Sequence, residues 1–175
     1  FDAFGLTLET GFSYPIIAGH IGFLVRTIYM AIYDQYSTGV SLDIGYTKLF
    51  SSGWNAGISL LNFGKLSNMN IKTPDLPMRL LAGVSRSMDG GRFQNLVCMT
   101  GEWAFLPQNW KVSFGNDFSW DRFHILSGTS FTDQTSSVSI GTGLQLGRFR
   151  VFYAIRFSSQ DIGMPYTFSI NTRLP

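Results

Sequence analysis

The residue types that catalyse reactions or bind metals are present, but their spacing forms no familiar site. His20 and His124 lie far apart in sequence and lack the spacing of metal ligands. The single Cys98 cannot form an intrachain disulfide or a multi-cysteine metal site, and we expect a buried, inert thiol. Serine, histidine and aspartate all occur, but no nucleophile elbow orders them. The sequence therefore predicts no enzyme, with no catalytic residue, no metal and no cofactor.

A set of charged residues stands out because its members recur at one parity within apolar segments. Such charges could pair across strands or bind water, or they could form a polar gate for amphipathic solutes. In the segment 21–34 the same parity carries large aliphatic residues, which would form an apolar wall beside the gate. The candidate ligand-binding residues are the aliphatic Leu24, Ile28, Met30 and Ile32 and the charged Arg26, Asp43, Arg79, Glu102, Lys111, Asp117, Arg150, Arg156 and Arg173.

The segment 109–121 shows the alternation most clearly. Lys111 and Asp117 share one parity with glycine and serine, and the other parity is aromatic except for Asn116. A β-strand points successive side chains to opposite faces, so this strand has one apolar face and one polar face. In a soluble sandwich the apolar face would pack against a second sheet. In an outer-membrane barrel it would face lipid.

The same alternation recurs along the chain at a length close to the roughly 9–11 residues of a transmembrane strand. We therefore predict an all-β protein, an antiparallel transmembrane barrel with about eleven strands present. The predicted turns include 34–39, and the longest irregular segments are 62–77 and 158–165. The predicted strands are 4–13, 21–34, 40–50, 54–60, 78–86, 95–105, 109–121, 123–131, 137–146, 149–157 and 166–174.

Composition supports one domain over residues 1–175 and excludes some classes of protein. Charged residues make up 14% and aromatic residues 15%, whereas soluble domains are roughly 25% charged. No stretch approaches about 18 consecutive apolar residues, so the sequence contains no transmembrane helix. The net charge of +2 is scattered, which argues against a nucleic-acid partner.

Loop lengths predict an orientation. If the C-terminus is periplasmic, the tight corners at 50–54, 120–123 and 146–149 are periplasmic, and the longer segments 62–77 and 158–165 are extracellular. Short periplasmic turns and long outer loops are typical of outer-membrane barrels.

Three motifs resemble those of a known family. The run 54–64 (WNAGISLLNFG), the pair Leu76-Pro77 and the run 79–83 (RLLAG) are similar in order to the signature of the FadL-like outer-membrane barrels. The PorV/PorQ-like branch is the most similar part of that family. Downstream strands match in order and spacing, so the resemblance covers roughly residues 40–175.

The resemblance implies a barrel of fourteen strands, of which this chain would supply the C-terminal part without the N-terminal strands and plug. It implies an outer-membrane location, with membrane lipid as a partner. The implied function is transport of long-chain fatty acids or other hydrophobic small molecules. An alternative is a partner barrel of a type IX secretion system that binds exported proteins. A soluble β-sandwich binding module remains a second alternative.

Overall fold

The computed structural model describes residues 3–33, 35–67, 75–160 and 163–172, and these residues form a single antiparallel sheet without helices. Across those residues, no helical segment has the length and apolarity needed to cross a membrane. The strands are β1 (Ala3–Ile16), β2 (Gly19–Ile32), β3 (Gln35–Leu49), β4 (Trp54–Leu66), β5 (Arg79–Asp89), β6 (Phe93–Phe105), β7 (Gln108–Trp120), β8 (Phe123–Thr132), β9 (Ser136–Leu146), β10 (Phe149–Ser158) and β11 (Tyr166–Thr172).

The strands follow one another in sequence order, so each connection is a hairpin. Most hairpins are tight. Between β9 and β10, for example, only Gly147 and Arg148 intervene, and Gly147 adopts the left-handed conformation that two-residue hairpins require. The two longest connections, from β4 to β5 and from β10 to β11, both follow even-numbered strands. The long connections on which the predicted orientation depends therefore follow strands of one parity, and the orientation itself stays a prediction.

The alternation predicts which side chains are exposed. The aromatic residues Trp110, Phe114, Phe149 and Tyr153 are 40–47% exposed, and they lie on strands of one sheet rather than between two. We call the face of each strand that carries such residues the aromatic face, and the opposite one the polar face. Among the described residues, Leu66 is the only buried apolar side chain, at 7% exposure. The described residues therefore form no conventional hydrophobic core.

Several predicted strand boundaries are wrong, among them the end of β1 and the start of β3. β1 continues through Pro15 to Ile16, because β1 begins the sheet order and proline is tolerated in an edge strand. The predicted turn at 34–39 is strand from Gln35 onward, where Ile32 pairs with Gln35. Ser67 supports this early start of β3, because its backbone N–H donates to the Thr38 carbonyl over 2.6 Å.

The predicted irregular segment from residue 62 is also wrong at its start, because β4 continues to Leu66 through a β-bulge. Gly45 lies against Ser59 and Gly39 against Leu66, so β4 advances seven positions where β3 advances six. Asn62 has a φ of 59°, which places the extra residue there. The bulge turns Asn62 and Leu66 onto the polar face, where both are buried. Residues 68–74 lie outside the described part.

Two compact units make up the chain. The first consists of Phe1–Leu49, Ala56–Ala82 and Glu102–Asn109, and the second of Phe50–Asn55, Gly83–Gly101 and Trp110–Pro175.

Gly64 gives a test of the bulged pairing between β3 and β4. A Cβ at Gly64 would overlap the Val40 carbonyl and the Ser41 backbone, so the two strands would have to separate. We expect Gly64→Ala to lower the free energy of unfolding by about 1–3 kcal/mol, as overpacking does. The midpoint of urea denaturation measures this change.

Gly101→Ala is the matched control, because a Cβ at Gly101 meets nothing within 4 Å. Equal midpoints for the two variants would show that the β3–β4 pairing described here is wrong.

Candidate functional site

The four aliphatic residues of the predicted apolar wall lie on β2. They are on the face opposite the aromatic face, although that face is polar in most other strands. Leu24, Ile28 and Met30 are half-buried there, whereas Ile32, at the end of the strand, is 39% exposed. Their neighbours in register are small or polar, so the aliphatic side chains form a ridge beside a lower column on β1, whereas on the β3 side Leu66 fills the space above Gly39. On β1 these neighbours are Gly11, Thr7 and Gly5, and on β3 they are Asp43, Gly39 and Ser37.

Arg26 interrupts this ridge and is the centre of an ion cluster. Its Nε donates to Glu9 Oε1 over 2.6 Å, and one terminal nitrogen donates to Asn62 Oδ1 over 2.6 Å. The other terminal nitrogen donates to Asp43 Oδ2 over 3.3 Å. Three acceptors from three strands therefore surround one guanidinium, whose planar fork suits such an arrangement. The Arg26 side chain is 22% exposed and that of Asp43 only 12%, so the pair is shielded from water.

Asn62 joins this cluster to the chain that precedes β5. Its backbone N–H donates to Asp43 Oδ1 over 2.6 Å, and its side-chain nitrogen donates to the Pro77 carbonyl over 3.1 Å. The left-handed conformation of Asn62 is thus held by a buried carboxylate. Asn62 was not among the predicted site residues, although it lies in the run that resembles the FadL-like signature. Glu9 was also not predicted as a site residue. The one sequence signal for it is its place on the polar parity of the first strand.

A second ion pair of the first unit joins Arg79 at the start of β5 to Glu102 of β6 over 3.1 Å. The Arg79 side chain is 39% exposed, so this pair contributes little to stability. Arg79 Nε is buried without a hydrogen-bond partner among the described residues.

In the second unit the polar face is lined by small residues. Gly115, Gly128 and Ser139 occupy one row across β7–β9, and Gly141 pairs with Ala154 in the adjacent row. They enclose a shallow cavity of about 380 Å³, whose lining also includes Cys98 and Asp117. Ser113, Ser130, Ser137 and Ser158 follow one another in register as a row of hydroxyl groups.

Asp117 does not stand free at this cavity, because His124 Nδ1 lies 3.0 Å from its Oδ1. The imidazole also meets the Phe152 ring edge-on, with centroids 5.5 Å apart. Ser119 is the register partner of His124, but its hydroxyl donates to the Gln94 carbonyl over 3.4 Å. The proximity of His124 to Asp117 was not predicted from the sequence.

The remaining candidate cations of the second unit have no ion-pair partner within the described residues. Lys111 lies opposite Thr132, Arg150 opposite Gln145 and Arg156 opposite Ser139, so their register partners are neutral. Lys111 and Arg150 are half-buried, and Arg156 is exposed. This polar face therefore carries unpaired positive charge. The candidate Arg173 lies outside the described residues.

The described residues contain no group of three or more histidine, cysteine, aspartate or glutamate side chains that could hold a metal ion. Cys98 is half-buried rather than buried, because it lines the cavity, where its Sγ lies over Gly115.

Neither the protein-family models nor the curated proteins include a match to this chain. The resemblance to the FadL-like barrels therefore stays a prediction from its motifs.

Removal of Arg26 tests whether the ion cluster stabilises the first unit. Arg26→Met would leave the shielded Asp43 carboxylate without its cation, and we expect a loss of about 2–4 kcal/mol in the free energy of unfolding. Asp43→Asn in the same chain should restore part of that loss, because an amide oxygen can still accept from the Asn62 N–H. Denaturant unfolding of the single and double variants measures both effects.

Glu9→Gln is the control, because the Glu9 side chain is 45% exposed and its loss should cost under about 1 kcal/mol. The assignment fails if Arg26→Met is no more destabilising than this control.

Proposed function

We propose that this chain forms part of an outer-membrane β-barrel that carries long-chain fatty acids or other hydrophobic solutes. The aromatic face would contact lipid, and the polar face would line the lumen. Strands β1–β10 have 10 to 15 residues, which suffices for the roughly 9–11 residues of a tilted membrane-spanning strand. The motif resemblance to the FadL-like family supports the same proposal.

The exposure of the aromatic face supports the lipid-facing role. Transfer of one large apolar side chain from water to an apolar environment is favourable by about 1.5–3 kcal/mol. Trp110, Trp120, Phe123 and Phe149 are each at least 40% exposed, and the described strands offer no second sheet to cover them. A soluble sandwich would need that second sheet. Lipid would cover these apolar side chains without a second sheet.

The aliphatic ridge of Leu24, Ile28 and Met30 is the observation that carries the transport proposal. Apolar side chains on the polar face of a strand are costly against water unless an apolar group covers them. Gly5 and Thr7 on β1 leave space for an alkyl chain to lie along that side of the ridge, whereas Leu66 fills the space above Gly39 on the β3 side. The Arg26 cluster would fix the ridge in place because it joins β2 to β1, β3 and β4.

The unpaired cations of the second unit favour an amphipathic solute over a purely apolar one. Lys111, Arg150 and Arg156 lack carboxylate partners within the described ranges, and the serine row offers further hydrogen-bond donors. A fatty acid carries the carboxylate that such groups bind.

The alternative is a partner barrel of a type IX secretion system. It is favoured by the two longest connections, β4–β5 and β10–β11, because both follow even-numbered strands and would lie at one end of an antiparallel barrel. Such loops could bind an exported protein. Copurification with a large secretion channel, without bound lipid, would favour this alternative.

Insertion into a bilayer can be tested by tryptophan fluorescence. All four tryptophans lie on the aromatic face, so we expect lipids with brominated acyl chains to quench the emission strongly and aqueous acrylamide to quench it weakly. Replacement of Trp110 and Trp120 by phenylalanine should remove much of the quenched signal. Strong acrylamide quenching of a chain that stays in solution without detergent would contradict the membrane location.

The ridge can be tested by charge substitution. The double substitution Ile28→Asp and Met30→Asp should abolish fatty-acid uptake, because two carboxylates would face the alkyl chain, while assembly stays intact. Fatty-acid uptake by cells that produce the variant measures the first effect, and heat-modifiable gel mobility measures the second.

The control is Ile28→Leu with Met30→Leu, which keeps the ridge apolar at similar volume and should retain uptake. Uptake that survives the aspartate substitutions would exclude the ridge as the solute path.

A further inference from the structure

Three tight hairpins of the second unit share one pattern at their turns. The pattern is a left-handed residue, then an arginine, then a phenylalanine that begins the next strand. The left-handed residues are Gly91, Asp121 and Gly147, with φ values of 83°, 52° and 60°. The pairs that follow them are Arg92-Phe93 at the start of β6, Arg122-Phe123 at the start of β8 and Arg148-Phe149 at the start of β10. The chain therefore presents the same two side chains at three successive turns.

Backbone hydrogen bonds place these turns next to one another along one edge of the sheet. The Asp121 N–H donates to the Arg92 carbonyl over 3.2 Å, and the Gln145 N–H donates to the Arg122 carbonyl over 2.8 Å. Gln145 belongs to the hairpin whose turn carries Arg148. All three arginine side chains are exposed, and within the described residues none of them has an ion-pair partner.

The three phenylalanines form a second line beside the arginines. Phe93, Phe123 and Phe149 lie on the aromatic face and are 46%, 64% and 47% exposed. Consecutive residues of a strand lie about 3.3 Å apart along its axis, so each ring begins one residue farther from the edge than its arginine. Trp120, the register partner of Phe123, extends this line. The edge thus has an outer cationic layer and an inner aromatic layer.

The hairpin that leads into β4 has the same two groups from different residues. Its turn contains Gly53, with a φ of 80°, and Trp54 follows directly without an arginine. Arg86 of β5 supplies the cation, because its guanidinium carbon lies 5.5 Å from the centre of the Trp54 ring. Both residues belong to the second unit. A cation beside an exposed aromatic ring therefore recurs at a fourth hairpin.

The acidic residues of this edge do not cancel its charge. Asp89 accepts hydrogen bonds from the Gly91 N–H over 2.9 Å and from Gln94 Nε2 over 3.4 Å. Asp121 is the other carboxylate, so two aspartates stand against four arginines. At the opposite end of the same strands, the turn between β8 and β9 carries Asp133 and no lysine or arginine. Positive charge is therefore concentrated at the end with the arginine turns.

We propose that this edge binds the phosphate groups of anionic phospholipids, with Arg92, Arg122 and Arg148 as the phosphate ligands. This inference rests on the proposed membrane location. A guanidinium can donate two parallel hydrogen bonds to a phosphate, and aromatic girdles at the strand ends are typical of membrane barrels.

The order of the two layers identifies the occupant. A phospholipid leaflet presents a layer of phosphates and, directly beneath it, a layer of acyl chains. The arginines meet the first layer and the phenylalanines meet the second. An acidic protein in solution would neutralise the arginines but leave the exposed rings against water, which is unfavourable.

The same edge should prefer anionic to zwitterionic phospholipid. The headgroup of phosphatidylcholine carries an ammonium group beside its phosphate, whereas that of phosphatidylglycerol does not. One arginine near an anionic membrane surface corresponds to a local preference of roughly fivefold. The preference should weaken at about 1 M salt, because the Debye length falls to about 3 Å.

Trp110 and Trp120 allow a local measurement, because both lie on the aromatic face of β7 and at opposite ends of it. Two full-length variants each keep one of these tryptophans and replace the other three by phenylalanine. In vesicles of phosphatidylglycerol and phosphatidylcholine, with one or the other lipid brominated in its acyl chains, quenching reports which lipid adjoins the tryptophan. We expect a preference of about fivefold for phosphatidylglycerol at Trp120 and none at Trp110.

Replacement of the three arginines tests whether they cause the preference. Arg92→Gln, Arg122→Gln and Arg148→Gln together should abolish the preference at Trp120. The matched control is Arg92→Lys, Arg122→Lys and Arg148→Lys, which keeps the charges and should retain most of it. Heat-modifiable gel mobility reports the folding of each variant. If the glutamine variant does not fold, the comparison of Trp120 with Trp110 and the salt dependence decide the matter with the arginines intact.

Several outcomes would overturn this inference and leave the proposed function intact. They are a chain that inserts but shows equal binding of the two lipids at Trp120, an equal preference at Trp110, and a preference that survives in the folded glutamine variant. An equal loss in the lysine variant would also overturn it, because charge would then not be the cause. A chain that does not insert into the vesicles would overturn the inference and the proposed function together.

Discussion

The structure depends on one constraint, which is that each strand of a single sheet has two faces and that, within the described residues, no second layer covers either. Backbone hydrogen bonds between neighbours satisfy the main chain, and the side chains must then suit whatever adjoins each face. Aromatic and aliphatic residues occupy one face with large exposed fractions, and glycine, serine and ion pairs occupy the other. Stability therefore comes from strand pairing and from contacts within each face, since the described residues bury only Leu66 among their apolar side chains.

On the polar face of the first unit, the cluster around Arg26 holds the strands together, as a hydrophobic core does in other proteins. A guanidinium shared by Glu9, Asp43 and Asn62 joins four strands through hydrogen bonds rather than through apolar contact. Among the described residues of the second unit there is no equivalent cluster. Its cations face neutral partners and its small residues leave a cavity, so that face is open to water or to a ligand.

The alternation of side chains made the strands and the exposed face predictable, because a period of two directly encodes which residues point together. The registers of Gly115 with Gly128 and of Ser137 with Ser158 were not predictable, because they depend on hairpin geometry. The bulge at Asn62 was missed for a related reason, since an extra residue breaks the period and looks like the end of a strand. The ridge of β2 was found by its composition, whereas the partners of Arg26 lie 17 and 36 positions away and only the fold brings them together.

The extra residue in β4 acts on the strand as a frameshift acts on a reading frame. Upstream of Asn62 the odd-numbered residues point to the polar face, and downstream the even-numbered ones do. Phe63 is consequently 59% exposed and Leu66 is buried, although a strict alternation from Trp54 would exchange them. One inserted residue thus exchanges the faces to which the side chains point in the last part of β4. The alternation in β3 is unchanged. The chain can thereby place a buried asparagine and a buried leucine beside the ion cluster without any change in β3.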